Sequence, residues 1–325
     1  GPGLALTRVS APSTPTLFRT RHPALALNVT ADDAAGTADA VTIGSSVNAS
    51  ATLALHPGRV FDAVFRVSGL HLPGLQLAAV HNLTVDPDIE VLCGPNRNSS
   101  SLADAVTAST TDVTIGPCTL TNTNGNPSVS RSIRLSAEFF VDDDANSGDS
   151  LAVEATLSTS TVQVATTSPN LQVLEPLIQP AISASTVVAG VDANDTLGFV
   201  VGVAQSQMPA YHVQLADTAL IQLSSPYTLT GANVTGAEVW TPGHGSNIAI
   251  VPTATNSFQV TYTVLVDMHV EASRSFTTHA AASWVSHPSP RFGQARTYFS
   301  SPASQVQVQV ANPVMSIVLE TDSAT

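Results

Sequence analysis

The sequence predicts an all-β chain of tandem β-sandwich modules set end to end. Three observations carry that expectation. The first is period-two alternation of apolar and polar residues, plainest in Gln305-Val306-Gln307-Val308-Gln309-Val310. It recurs more loosely in Thr261-Tyr262-Thr263-Val264, Thr161-Val162-Gln163-Val164 and Phe65-Arg66-Val67. Such alternation sets one face of a strand on a core and the other in solvent, as in antiparallel sheet. The second is punctuation: 21 prolines and 19 glycines are spread along 325 residues, with Asn124-Gly125, Ser147-Gly148 and Thr241-Pro242-Gly243 read as turns. The third is internal repetition, which sets the domain map.

Taken in chain order, Val9-Ser10-Ala11-Pro12-Ser13 echoes Val285-Ser286-His287-Pro288-Ser289, so residues 1–22 are expected to be the tail of a preceding module. A first complete module spans 23–174. A second spans 175–311, with strands expected at Thr196–Val203, around Pro209–Thr218, at Val260–Val266 and at Phe276–Ser283. Phe140-Val141-Asp142 through Leu151 aligns without a gap with Leu265-Val266-Asp267 through Phe276. Pro313-Val314-Met315-Ser316-Ile317 repeats the opening Pro23-Ala24-Leu25-Ala26-Leu27, so 312–325 reads as the start of a following module. Helix is nearly absent; Ser101–Val106 is expected to make one or two turns. Gly1-Pro2 reads as a cleavage scar or the edge of a fragment from the middle of an array.

Charged residues are 11% of the chain, against about 25% in ordinary soluble domains. All 11 basic residues are Arg, and the net charge is −13. Phosphate recognition needs clusters of Lys and Arg, so nucleic acid is excluded as a partner. No stretch approaches the roughly 20 apolar residues that cross a bilayer, so this segment does not insert in a membrane. With 43% hydrophobic residues, solubility must come from Ser, Thr and attached glycans.

Six acceptor sequons of the form N-x-S/T are present, at Asn28, Asn48, Asn82, Asn98, Asn194 and Asn233. Asn48 lies four residues after Gly44 and Asn194 four residues after Gly190; Asn82 and Asn233 follow at 34 and 39 residues. Two pairs in register suggest secreted tandem modules, with Asn48 and Asn194 at equivalent points. Cys93 and Cys118 then read as one disulfide of an extracellular protein, two buried free thiols being the other arrangement.

The order Val187-Val188-Ala189-Gly190, strand Thr196–Val203, then Tyr211-His212-Val213-Gln214-Leu215-Ala216-Asp217 and a closing hairpin resembles the immunoglobulin-like repeats of large bacterial-type surface proteins. In the first module Thr42-Ile43-Gly44 and Val67–Leu75 fit the same scheme. The resemblance implies stalk or coat segments at the cell surface. Such repeats can carry a Lys–Asn isopeptide cross-link, which a chain without Lys cannot form. The Lys-free, Ala/Val/Ser/Thr-rich composition also resembles green-algal flagellar surface glycoprotein ectodomains. The implied partners are neighbouring modules, identical chains in a surface layer, and N-glycans.

Chemistry is sparse. Asp142, Asp144 and Asn146 have the alternate spacing of a calcium loop, with Asp149 as a further oxygen donor. The sixth position of an EF-hand loop would be Ser147 rather than Gly, and the twelfth Val153 rather than Glu. A solvated acidic turn is the simpler reading, and no cofactor is otherwise expected. Nine scattered histidines and Gly243-His244-Gly245 show no nucleophile–base arrangement. Trp240, beside a turn, is either core or a sugar platform. The expected function is a non-enzymatic, glycan-covered stalk or coat segment; the alternative is a carbohydrate- or protein-binding adhesin module assisted by calcium.

Overall fold

The computed structural model describes residues 22–31, 39–70, 74–94, 102–126, 128–205, 208–222, 224–237, 241–242, 247–288, 295–300 and 303–311. Segments 1–21 and 312–325, Asn98 and Trp240 lie outside these residues.

The first half holds twelve strands: β1 Ala24–Ala31, β2 Ala40–Val41, β3 Ser46–Leu55, β4 Gly58–Leu70, β5 Leu75–Val85, β6 Ile89–Cys93, β7 Val106–Ala108, β8 Asp112–Asn122, β9 Arg131–Val141, β10 Ser150–Ser158, β11 Gln163–Thr167 and β12 Leu171–Val173. They form a four-stranded sheet, β1-β3-β9-β5, facing a larger one, β2-β12-β10-β4-β8-β6, with β11 on β10 and β7 on β8. The second half adds β13 Ile178–Ala184, β14 Ala189–Val191, β15 Thr196–Gln205, β16 Ala210–Asp217, β17 Tyr227–Thr235, β18 Thr241–Pro242, β19 Asn247–Ala254, β20 Phe258–Val266, β21 Ser275–Thr278, β22 Ala280–Val285, β23 Thr297–Phe299 and β24 Val306–Val310. Here β13-β15-β20-β17 faces β14-β24-β21 and β18-β19-β16-β22-β23. Each half has its own apolar core, within 41–173 and 178–308. The fold is therefore all-β, in two sandwiches.

Alternation runs through β1, β3 and β20 as expected. Val47, Ala49, Ala51, Leu53 and Leu55 of β3 are buried, while Asn48 between them is exposed. Some local readings shift. Thr161 and Val162 fall in the β10–β11 hairpin turn, closed by the Val162 amide donating to Thr159 Oγ1 at 2.9 Å. Thr241-Pro242, read as a turn, pairs as β18 with β19. The helical expectation at 101–106 reduces to a 3-10 turn at Ala103–Ala105.

Strand register superposes the two halves. Ser46 pairs with Phe140 and Thr196 with Leu265, so β3 matches β15 and β9 matches β20. The sequence alignment of 140–151 with 265–276 is thus the structural one. The core is redistributed between equivalent layers. Sandwich one opposes Ala49 and Ala137 at the middle of its smaller sheet and buries Leu151 and Val153 in the facing one. Sandwich two opposes Phe199 and Tyr262, rings 5.3 Å apart, and buries Ala280 and Ala282 in the facing sheet. Large and small side chains exchange layers because a close-packed interior fixes the summed volume.

Cys93 and Cys118 form the expected disulfide, with S–S 1.99 Å. They stand opposite each other on β6 and β8, so the bond staples neighbouring strands across a separation of 25 residues.

Candidate glycan faces and module junction

The register places Asn28, Asn48, Asn82 and Asn233 on the outer faces of the two four-stranded sheets. On β1, Leu25, Leu27 and Val29 pack on the core and Asn28 is exposed; on β5, Leu83 and Val85 pack on the core and Asn82 is exposed. Asn28 pairs with Ser50, Ser50 with Ser136 and Ser136 with Asn82. One row therefore carries two sequon asparagines at its ends, three strand spacings or about 14 Å apart. Asn48 lies one row along, opposite Glu138, which is buried and accepts from Ser46 Oγ at 2.8 Å and bonds His81 Nε2 at 2.7 Å. Among the described sequons, every asparagine is exposed.

The two pairs behave differently. Asn82 is opposite Ser136 and Asn233 opposite Thr261, and Ser136 and Thr261 are equivalent, so this pair shares one structural position. Asn48 and Asn194 do not. The Gly44 amide donates to Val141 O at 2.9 Å, and the Asn194 amide donates to the equivalent Val266 O at 3.1 Å. Asn194 is therefore the counterpart of Gly44, in the turn before its strand, whereas Asn48 lies inside β3, where its counterpart is Gly198 of β15. The equivalence expected from their glycine offsets is corrected by four residues.

The acidic run occupies the turn between β9 and β10. Asp142 is buried; its carboxylate accepts from Gln76 Nε2 and from the Asp143 amide, and burial pushes the carboxyl upward from its ordinary range. Asp149 Oδ2 accepts from the Asn146 amide at 2.8 Å, and Asn146 Nδ2 approaches Asp144 O at 3.5 Å. Asp142, Asn146 and Asp149 thus turn side-chain groups to different internal partners. Among the described residues no group of three His, Cys, Asp or Glu is placed to hold a metal ion.

What the turn does instead is receive Arg296 of the second sandwich. Its guanidinium donates to the carbonyls of Asp143 and of Ala145, the latter at 3.0 Å, and pairs with Glu175. Nearby, Thr42 Oγ1 donates to Ser286 O at 3.3 Å and Ser286 Oγ donates to Ile43 O at 2.9 Å. Four residues, Leu174 to Leu177, separate β12 from β13, and three are tethered. The Leu174 amide donates to Val41 O, Glu175 holds Arg296, and Pro176 O accepts from Trp284 Nε1 at 3.0 Å. The Trp284 ring stacks on Tyr298, centroids 5.6 Å apart.

Opposite poles meet at this junction. Ser168 closes onto Val153 as Ser300 closes onto Ala282, so Leu157 and Val164 are the first sandwich's counterparts of Ser286 and Arg296. Those counterparts sit at the far end of β10 from the 142–149 turn. The contact is head to tail, a polarity that leads to serial arrays rather than closed pairs.

A buried cluster went unread in the sequence. Asp217 is fully buried; Oδ2 accepts from Tyr227 and Tyr262 hydroxyls at 2.6 Å each, and Oδ1 accepts from Thr278 Oγ1 and from the Ala219 amide. Burial, and then the facing carboxylate, push both tyrosine hydroxyls far above their ordinary range. Its visible signal was an Asp just before the short helix Thr218–Ile221, which it caps. Arg296 also went unread; its signal was the rarity of basic residues. Of the histidines, His212 Nε2 lies 3.3 Å from Pro288 O and the His279 amide donates to Thr218 Oγ1, both structural contacts.

No family model and no curated protein matches this chain. Among solved structures it is similar to the C-terminal domain of the Streptococcus agalactiae antigen I/II polypeptide BspA, at 9% identity over 88% of this chain and 100% of that one, TM-score 0.43. It is also similar to the C-terminal domain of the Streptococcus pyogenes antigen I/II-family protein AspA, at 10% identity over 88% and 99%, TM-score 0.40. A 35 kDa C-terminal fragment of the Streptococcus agalactiae major pilin GBS80 follows at 11% identity over 89% and 91%, TM-score 0.28. At these TM-scores, the functional argument rests on the chain's own geometry.

Proposed function

We propose that the chain is a non-enzymatic, rigid segment of a secreted or cell-surface glycoprotein, built for extension, spacing and shielding. The observation that carries this is the junction: a four-residue linker tethered at three positions, with opposite poles of two equivalent sandwiches clamped by Arg296. Exposed sequons at Asn28, Asn48, Asn82, Asn194 and Asn233 complement it, because glycans there would cover sheet faces that carry few charges. The cross-strand disulfide fits an oxidising, extracellular setting. Sandwiches 23–174 and 175–311 act as repeating units whose head-to-tail contact can be continued by further modules. Mapping glycan occupancy by mass spectrometry after expression in an N-glycosylating host tests the coat; bare asparagines at all five positions would remove it.

A further inference from the structure

Beside Asn233, the outer face of β13-β15-β20-β17 is hollowed into an open trough of about 600 Å³. Its floor is the cross-strand row Ala181, Gly202, Gln259 and Thr235, in which Ala181 pairs with Gly202, Gly202 with Gln259 and Gln259 with Thr235. Gly202 makes the hollow: a Cβ added there would meet nothing within 4 Å. Gln179 and Gln259 stand exposed on its lining, and neither side-chain amide makes a hydrogen bond within the described residues. Asn233 is exposed in the adjoining row, opposite Thr261. Strand rise and spacing put its Cα about 12 Å from that of Gly202.

We infer that the trough seats the N-acetylglucosamine stem of an N-glycan attached to Asn233, an inference that rests on the glycoprotein reading above. The occupant follows from the chemistry of the lining. A pyranose ring offers a flat C–H face to the low part of the floor at Ala181 and Gly202, and its acetamido groups can donate to and accept from the Gln179 and Gln259 amides. The attachment point lies one row away, so the ligand arrives tethered and its effective concentration over the trough is high. Asn82, at the equivalent position, is the built-in control: there Thr52 takes the place of Gly202 and Arg134 that of Gln259.

The test compares release of glycans from Asn233 and Asn82 by peptide-N-glycosidase acting on the native full chain, followed site by site by mass spectrometry. A docked-to-free ratio near ten would slow release at Asn233 by about tenfold, because the enzyme acts on the free fraction. Gly202→Thr, which restores the side chain found in the first sandwich, and Gln259→Ala should each bring Asn233 toward the Asn82 rate. Equal rates at the two sites in the unmodified chain, or a slow Asn233 unchanged in both variants, would overturn the inference. So would an unoccupied Asn233 with the other sites filled, a result that leaves the glycoprotein reading standing. Bare asparagines throughout would instead remove that reading first.

Discussion

Replacing Arg296 with Ala should uncouple the two sandwiches without unfolding either. One guanidinium holds Glu175 and two carbonyls of the 142–149 turn, and its side chain is 29% exposed. A buried hydrogen bond to a charged group contributes about 1.5–3 kcal/mol. Partial exposure places this set well below the simple sum, at about 2–3 kcal/mol in total. Among the described residues the remaining hydrogen bonds at the junction are neutral: Thr42 to Ser286 O at 3.3 Å, Ser286 to Ile43 O at 2.9 Å and Trp284 to Pro176 O at 3.0 Å. At about 1.4 kcal/mol per decade, the docked fraction relative to the undocked should fall roughly 30- to 140-fold. Differential scanning calorimetry reads this directly. The unmodified chain should unfold with the sandwiches coupled. In Arg296→Ala the less stable sandwich should melt separately, about 5–10 °C lower, given 2–4 °C per kcal/mol for units of this size. Calcium and chelator should leave both profiles unchanged, because the guanidinium occupies the turn. A variant whose thermogram matches the unmodified chain would refute the clamp.

Three further outcomes follow from the geometry. Asp217→Ala should destabilise the second sandwich by about 3–5 kcal/mol in denaturant titration and leave the first untouched, since buried donors lose a charged acceptor. Raising the pH should weaken the second sandwich above about pH 10: Tyr227 and Tyr262 ionise there in the unfolded chain but stay protonated when folded, so the unfolded state binds fewer protons. These two should contribute about 2.7 kcal/mol per pH unit to the slope, about 1.36 each, and Tyr227→Phe with Tyr262→Phe should remove that share and leave the share of Tyr298, whose hydroxyl burial also pushes upward. Cys93→Ser with Cys118→Ser should lower the stability of the first sandwich by about 3–4 kcal/mol in the chain-entropy account, and the unmodified native chain should show no thiol to alkylation.

Much of the strand plan was legible because alternation is a local consequence of one wet and one dry face. The gapless match of 140–151 with 265–276 was also legible, since both stretches run from a buried strand into the same turn. The sequon register was misread for an equally local reason. Gly44, Gly190 and Asn194 all adopt left-handed backbone, at φ 92°, 71° and 66°, and glycine and asparagine are the residues that tolerate it. Aligning glycine on glycine therefore chose the wrong turn, and cross-strand hydrogen bonding was needed to correct it. The acidic run showed its charge in sequence but not its directions. Carboxylates at 142 and 149 bond within their own sandwich, while backbone carbonyls, which leave no trace in residue identity, meet Arg296. Asp217 and its tyrosines converge from β16, β17 and β20, a contact set by sheet packing rather than by spacing along the chain.

Two sandwiches clamped pole to pole form a rod, and small-angle X-ray scattering from the unglycosylated full chain measures its length. The longest strand, Gly58–Leu70, has 13 residues, so each sandwich is about 40 Å long and two in series span about 80 Å or more. A globule of this length would have a radius of gyration of about 20 Å and a maximum dimension near 50 Å. The elongated profile is expected, unchanged by calcium or chelator and broadened by Arg296→Ala. A compact particle, or an elongated one whose shape follows calcium, would contradict it.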